Sequence, residues 1–427
     1  MKETIQSLCD FLDSAHSVYH GVEALRRMLE QTGYTRLTEA GVWELIPGGK
    51  YYLTRGGSAV VAFRVPEGTP KGFLISASHA DRPCFKLKEN AELTGTYTRL
   101  AVERYGGMLM APWLDRPLSV AGRVTVETED GVQTRLVDFD RDLLLIPNVA
   151  IHMNRSANDG YKWNPAVDLL PLLGGKDAAG KFAAALEELA GGKVLGHDLY
   201  LYVRQKAAVW GMEEEFISSP ALDDLECAWG CTRGFLAGSA TDNIPLLCVF
   251  DSEEVGSSSY QGAASNFMSS TVCRICAALG LDEHRQLSRS FLVSADNAHA
   301  VHPNHPELAD AANAPVINGG IVLKFNANQR YTTDGVSAAI FRKVCAGVNV
   351  PVQTYCNRAD IAGGSTLGNI SLSQVAVPSV DIGLPQLAMH SPVETAGVQD
   401  ALYLAQAMTA FYSCNLDVQN DGCYNLK

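Results

Sequence analysis

No stretch of this sequence approaches the roughly 20 consecutive apolar residues that a membrane-spanning helix requires. Its longest apolar runs, such as Leu246–Phe250, have the length of buried strands. The N-terminal residues lack the basic start and unbroken apolar core of a secretory signal, because Lys2, Glu3, Asp10 and Asp13 interrupt apolar positions at helical spacing. Basic charge is scarce. Lys and Arg number 34 against 47 Asp and Glu, a net charge of -13, which argues against a nucleic-acid partner because phosphate binding needs clustered cations. There is no P-loop and no well-placed GxGxxG, which argues against a nucleotide-binding protein. A thiolate metal site is also missing: the 11 cysteines contain one CxxC, Cys273 and Cys276, and Cys227 and Cys231 stand four apart. An odd cysteine count, irregular spacing and no export signal predict reduced thiols in a cytoplasmic protein. Neither an internal repeat nor a low-complexity tract appears.

What is present reads as α/β. Apolar residues at helical spacing predict two amphipathic helices within residues 3–32, with Ile5, Leu8, Phe11 and Leu12 on one and Val22, Leu25 and Leu29 on the next. Tyr51–Leu53, Ala59–Val65 and Gly72–Ser78 read as strands, separated by Gly56-Gly57 and by Pro66 to Pro70. The third is apolar or small on both faces, as in a covered sheet, and runs directly into His79. From about Glu89 to Glu215 the texture changes to short alternating segments, Arg123–Glu127 and Asp142–Ile146 among them, followed by a helix near Gly180–Ala190 and a strand at Leu199–Val203. After Pro220 the alternation returns: helix Cys227–Leu236, strand Leu246–Phe250, helix Ser265–Leu279, strand Ser290–Val293. The expectation is an α/β domain, residues 1–90 and 216–427, interrupted by a smaller β-rich module, residues 91–215.

Five places set His, Asp and Glu beside strand-like runs: His79-Ala80-Asp81, Asp223-Asp224, Glu253-Glu254, Asp296 and His390. Ligands of open α/β sheets collect at the carboxyl ends of strands, so these segments could converge. Two cations about 3.5–4 Å apart need one carboxylate between them and terminal His and carboxylate ligands for each. Imidazole and carboxylate suit zinc, with cobalt or manganese as substitutes. A further carboxylate must stay free to take a proton from water and pass it to a leaving amine, and a Glu-Glu pair supplies both tasks from neighbouring positions. Each place also has an ordinary explanation: Asp223-Asp224 as the cap of a helix starting near Leu225, Glu253-Glu254 as solvated charge, a lone His as a surface residue.

These residues lie in stretches that together carry a resemblance. They include Phe11–Glu23 (FLDSAHSVYHGVE), Ser76–Lys88 (SASHADRPCFKLK), Ile146–Arg155 (IPNVAIHMNR), Phe216–Leu225 (FISSPALDDL), Phe250–Ala263 (FDSEEVGSSSYQGA), Ser294–Asn304 (SADNAHAVHPN), Leu323–Asp334 (LKFNANQRYTTD) and Pro385–Ala396 (PQLAMHSPVETA). Over nearly its whole length the chain resembles the M18 family of metallo-aminopeptidases, whose best-known members are aspartyl aminopeptidases and a yeast vacuolar aminopeptidase. The resemblance implies a zinc-peptidase-type α/β/α sandwich with an inserted β-rich domain used in dimerisation and substrate gating. It implies two zinc ions held by His79, Asp223, Glu254, Asp296 and His390, with Asp223 between them. It implies Asp81 orienting His79, a cis peptide before Asp224, and Glu253 as general base and acid. His152 and Lys324 take substrate-binding roles by the same match, His152 often reaching the active site of a neighbouring subunit. The substrates implied are short peptides, with acidic N-terminal residues the family's frequent choice, and the assembly implied is a homo-oligomer, a tetrahedral dodecamer. Asp224 stands where an Asn is frequent.

Three nearby features compete for these roles. Asp242-Asn243 also looks like a bridging pair, but it falls only a short way before Glu253, so Asp223 is preferred. His299, His302 and His305 look like a metal cluster, yet Pro303 and Pro306 make them better read as a loop around Asp296. Cys84, close to His79, reads as a packed thiol. Two other functions stand beside the aminopeptidase: another two-zinc amidohydrolase such as a carboxypeptidase or deacylase, and an inactive relative serving as scaffold or binding partner.

Overall fold

The computed structural model describes every residue except Met1, Ala240, Ala362, Ser365 and Asp421. Two amphipathic helices, Lys2–Ser14 and Val18–Gln31, bury the apolar stripes that their sequence predicts. Ser17 separates them: its extended backbone and its hydroxyl, which accepts the His20 N–H, cap the second helix.

The main sheet has nine strands, in the order Thr35–Arg36, Lys50–Arg55, Ala59–Arg64, Ile244–Phe250, Phe73–His79, Phe291–Ala295, Ser379–Gly383, Ile321–Phe325 and Val352–Cys356. Its four central strands, Ile244–Phe250 to Ser379–Gly383, run parallel. They are buried throughout, because helices cover both faces. Alternate residues serve the two layers. Val60, Ala62, Leu247 and Val293 pack against helices Lys2–Ser14, Val18–Gln31, Leu222–Ala237, Gly335–Gly347 and Val398–Phe411. Val61, Phe63, Leu246 and Leu292 pack against Phe267–Leu279 and Leu367–Gln374. Gly234 lets two helices of the first layer touch, since a Cβ there would meet the Met408 backbone carbon at 2.6 Å. The result is an α/β/α sandwich.

Between Cys84 and Val203 the chain leaves this sheet and builds an antiparallel one of six strands: Gly131–Asp138, Leu118–Thr128, Val194–Val203, Cys84–Leu93, Tyr97–Tyr105 and Leu172–Gly175. Phe85, Leu100, Trp113, Val120, Val124 and Leu201 form its core, with Phe182 and Leu186 of helix Lys181–Ala190. The alternating segment Asp142–Ile146 does not become a strand. Leu144 and Leu145 make only isolated bridges to Leu118 and Leu172, because pairing with Gly131–Asp138 already takes that edge from Ala121 to Thr128 and leaves only the first residues of Leu118–Thr128 open. The strand expected at Leu199–Val203 starts earlier, at Val194, drawn out by pairing with Leu118–Val126 despite Gly196 and Asp198. The inserted sheet meets the two N-terminal helices at His16, whose ring stacks on Tyr202 and whose Nδ1 lies 2.5 Å from the Asp138 carboxylate.

A third sheet, Ala208–Trp210, Phe216–Ser219, Glu394–Gly397, Pro385–Leu387 and Ala298–His299, takes up the chain just past the ends of two central strands. No helix among the described residues is long and apolar enough to cross a membrane. The eleven cysteines are free thiols, most of them buried.

Candidate metal centre

The parallel strands deliver the chemistry at their carboxyl ends. His79 is the last residue of its strand, and Phe250, beside it in register, leads within four residues to Glu253 and Glu254. Asp296 follows Phe291–Ala295 directly. His390 lies in the connection between Pro385–Leu387 and Glu394–Gly397, held at a left-handed φ of 65°. Asp223 comes from the other direction, at the start of helix Leu222–Ala237, where it and Asp224 depart from helical geometry and are joined by a cis peptide. The helix therefore begins upstream of Leu225, but its Asp pair lies outside its regular part.

Two triads share Asp223. His79, Asp223 and Asp296 offer ligand atoms within 4.8 Å of one another, and so do Asp223, Glu254 and His390. The sharing is divided by oxygen atom. Asp223 Oδ1 is 3.8 Å from His79 Nε2, whereas Oδ2 is 3.4 Å from His390 Nε2, which is itself 3.4 Å from Glu254 Oε2. His79 turns its other nitrogen to Asp81, 3.2 Å from the carbonyl and 3.3 Å from the carboxylate. Asp81 in turn accepts the Glu253 and Glu254 backbone N–H groups, at 3.1 and 3.2 Å, and the Tyr105 hydroxyl at 2.7 Å. Asp224 accepts the His79 N–H.

The electrostatics are those of a negative pocket short of positive charge. Burial drives the Glu254 carboxyl well up, and Asp223 adds to it. Burial likewise raises Glu253 to about 8, with Asp296 and Asp223 pushing the same way against His79. Burial also lifts Asp296, against the pull of Lys324. Asp223 behaves oppositely: burial raises it, but His390, His79 and Lys324 outweigh that and hold its carboxyl below the ordinary range. Asp223 Oδ1 and Glu254 Oε1 are buried without a hydrogen-bond partner, a costly state for carboxylate oxygens unless a cation satisfies them. Orphaned carboxylate oxygens facing imidazole nitrogens make a donor set that fits zinc.

The remaining expected residues divide. Lys324 is buried with its ammonium 3.6 Å from Asp296, at the edge of the cluster. His152 stands apart, exposed on a turn of the inserted module. Asp242 is far from this chemistry, ion-paired with Lys71 at 2.8 Å. His302 and His305 face each other, and His305 pairs with Glu307, on an exposed loop. His299 differs from them. Its ring lies edge-on to Tyr355 and it sits close enough for Lys324, Asp223 and His390 to act on it. Burial pushes the Cys84 thiol up to about 12, which keeps it protonated.

Two supporting residues escaped the sequence reading. Tyr105 could have been found only from the fold, since it reaches Asp81 from the inserted sheet. Glu394 accepts the backbone N–H of Asp223 at 2.9 Å and that of His390 at 2.8 Å. Its signal was present, an acidic residue opening an otherwise small and apolar strand four positions after His390.

The profile of the family described as aminopeptidase I zinc metalloprotease (M18) matches residues 11–412. A probable M18 family aminopeptidase 2 of Clostridium novyi is 40% identical over 422 residues, covering 95% of this chain and 98% of that protein. Among solved structures, Ape4 in its complex with Nbr1 superimposes with a TM-score of 0.92 at 34% identity, covering 96% of this chain and 85% of that one. The mApe1 dodecamer of S. cerevisiae superimposes with a TM-score of 0.85 at 26% identity, covering 96% of each.

Proposed function

Since the chain belongs to the M18 family of zinc aminopeptidases, we propose that it removes the N-terminal residue of short peptides using two zinc ions held around Asp223. The observation that carries this reading is the division of Asp223, one oxygen toward His79 and the other toward His390. A carboxylate so placed would be able to serve two cations at once. In this reading His79 and Asp296 hold one ion, Glu254 and His390 the other, with cobalt or manganese able to substitute.

Zinc bound in these triads supplies a polarised scissile carbonyl and a water acidified toward neutrality. The chain's own residues do the rest. Asp81 fixes the tautomer and angle of His79 through Nδ1, leaving Nε2 for the metal side. The same carboxylate holds the Glu253 and Glu254 backbone, so both are aimed from one anchor. Glu253, outside the two triads that share Asp223 though within ligand reach of His79 and Glu254, takes the proton of the attacking water and returns it to the departing amine. Lys324 stays cationic beside Asp296 and supports a preference for acidic N-terminal residues, and His299 lines the same side.

His152 enters as part of an assembly. Its exposed loop also presents Val149, Ile151 and Met153 to solvent, which supports a contact with a second copy that brings His152 to that copy's site. A homo-oligomer follows, as in the S. cerevisiae relative solved as a dodecamer. The inserted module, residues 91–215 by its sequence texture, then serves dimerisation and gating, and free thiols suit a cytoplasmic setting.

A panel of aminoacyl reporter substrates with free and acyl-blocked amines, with and without chelator, tests the proposal. Expected is chelator-sensitive cleavage of free-amine substrates, fastest for Asp and Glu. Preference for blocked amines points to a deacylase, and two metals per chain with no cleavage to a binding relative.

A further inference from the structure

The Glu394 carboxylate touches neither Asp223 nor His390 through their side chains, yet it grips both backbones. Oε2 accepts the Asp223 N–H at 2.9 Å and Oε1 accepts the His390 N–H at 2.8 Å. These residues lie far apart in sequence, one at a helix start just before a cis peptide bond, the other at a left-handed turn. We propose, resting on the two-zinc reading above, that Glu394 is a positioning residue that sets the spacing of Asp223 and His390 and so tunes the affinity of the ion they hold with Glu254.

The surroundings agree. Glu394 opens a strand whose register places it opposite Ser219, four residues before Asp223, so the small sheet brings the two segments side by side. Every neighbour that bonds to the carboxylate donates to it. Gln386 Nε2 is a third donor, at 3.4 Å, and its own oxygen accepts from Asn297 Nδ2 at 3.0 Å, while Asn297 Oδ1 accepts from the Cys227 thiol at 3.0 Å. This chain of amides runs in one direction, toward Glu394. Asn297 is the residue after Asp296, and its amide also donates to the Leu222 carbonyl just before Asp223. One buried network thereby ties the backbones around Asp223, Asp296 and His390, and Glu394 is its terminal acceptor. A side chain serving only to fill space would not need two acceptor oxygens aimed at two ligand-bearing peptides. Partners that orient metal ligands typically change metal affinity about 10- to 100-fold when altered.

Glu394→Gln keeps the size but leaves one acceptor oxygen, so one of the two N–H groups faces an amide that cannot accept it. Zinc affinity is measured by competition against a chelating indicator, the melting temperature of the metal-free protein is followed alongside, and the absorption spectrum of the cobalt-loaded protein reports ligand geometry. Expected is a zinc dissociation constant raised about 10- to 100-fold for the ion assigned to Asp223, His390 and Glu254. The cobalt spectrum should change, kcat should fall at saturating zinc with KM held, and the metal-free melting temperature should stay within a few degrees. Glu394→Asp, which keeps the charge but is too short to reach both peptides, should behave alike, while Gln386→Leu, which removes only the third donor, should leave zinc affinity within about threefold, below the range seen when such a partner is lost. Wild-type affinity and cobalt spectrum in both Glu394 variants would overturn the proposal while leaving the metal site standing. Unfolding of both variants would assign Glu394 to fold stability and overturn it as well. A wild-type protein that retains no zinc would overturn the metal reading beneath it.

Discussion

The main sheet and the inserted sheet solve different problems with similar amounts of strand. In Phe73–His79 all residues are buried, whereas in Gly131–Asp138 only Val137 is fully so. The parallel strands are covered on both faces and can afford few polar residues except at their ends, where the ligand candidates collect. The antiparallel strands keep one wet face and spend their polar residues along their length. The ligand candidates thus gather at the margins of the most completely buried strands. The inserted sheet reaches that place with one side chain, Tyr105, donated to Asp81.

The comparison is tested most severely at Glu253. Glu253→Gln should lower kcat by about 10³-fold, within the range for loss of a positioned proton carrier, with zinc content and melting temperature unchanged. Retention of a tenth of the activity would move proton transfer to another group. Leu247→Ala, fully buried in a central strand, should cost about 3 kcal/mol in urea unfolding, while Val132→Ala, 66% exposed on the inserted sheet, should stay within about 0.5 kcal/mol. Equal losses would erase the distinction between the two sheets.

Tyr105→Phe sharpens the link between them. It removes only the hydroxyl held by Asp81, so kcat should drop about tenfold, or about 1.4 kcal/mol, with the fold intact. An unchanged kcat would reduce Tyr105 to packing. The smallest effect lies at the joint. Burial raises the Asp138 carboxyl, but His16 and Tyr202 outweigh it and hold it below its ordinary value. A depressed folded value means that this contribution is present above the unfolded value near pH 4 and is lost as pH falls through the folded one. Asp138→Asn should therefore cost about 1 kcal/mol at pH 7, and its urea midpoint should converge on that of the parent protein below about pH 4. A gap that persists in acid would assign the loss to shape instead of charge.

Much of the architecture was readable because apolar periodicity is local. The stripes of Lys2–Ser14 and Val18–Gln31, and the two-faced burial of Phe73–His79, need no knowledge of the partner surface. The segment Asp142–Ile146 misled for a non-local reason, since its alternation suits a strand but the neighbouring strand leaves too short an edge, the stretch from Ala121 to Thr128 being taken by Gly131–Asp138. At the site, types and positions of the ligand candidates were legible from strand ends, and their roles came from resemblance. The braces were not. Tyr105 acts on Asp81 from 24 residues away and Glu394 on Asp223 from 171, so although Glu394 stands four positions after His390, neither role is marked by its own surroundings in the chain.

The five ligand candidates are dispersed from His79 to His390, and each arrives on a different segment of the chain. A ribosome must therefore extrude the chain past residue 390 before the triad containing that imidazole can close. Completion of that triad is thus deferred until nearly the whole chain has emerged, a timing written into the order of the segments.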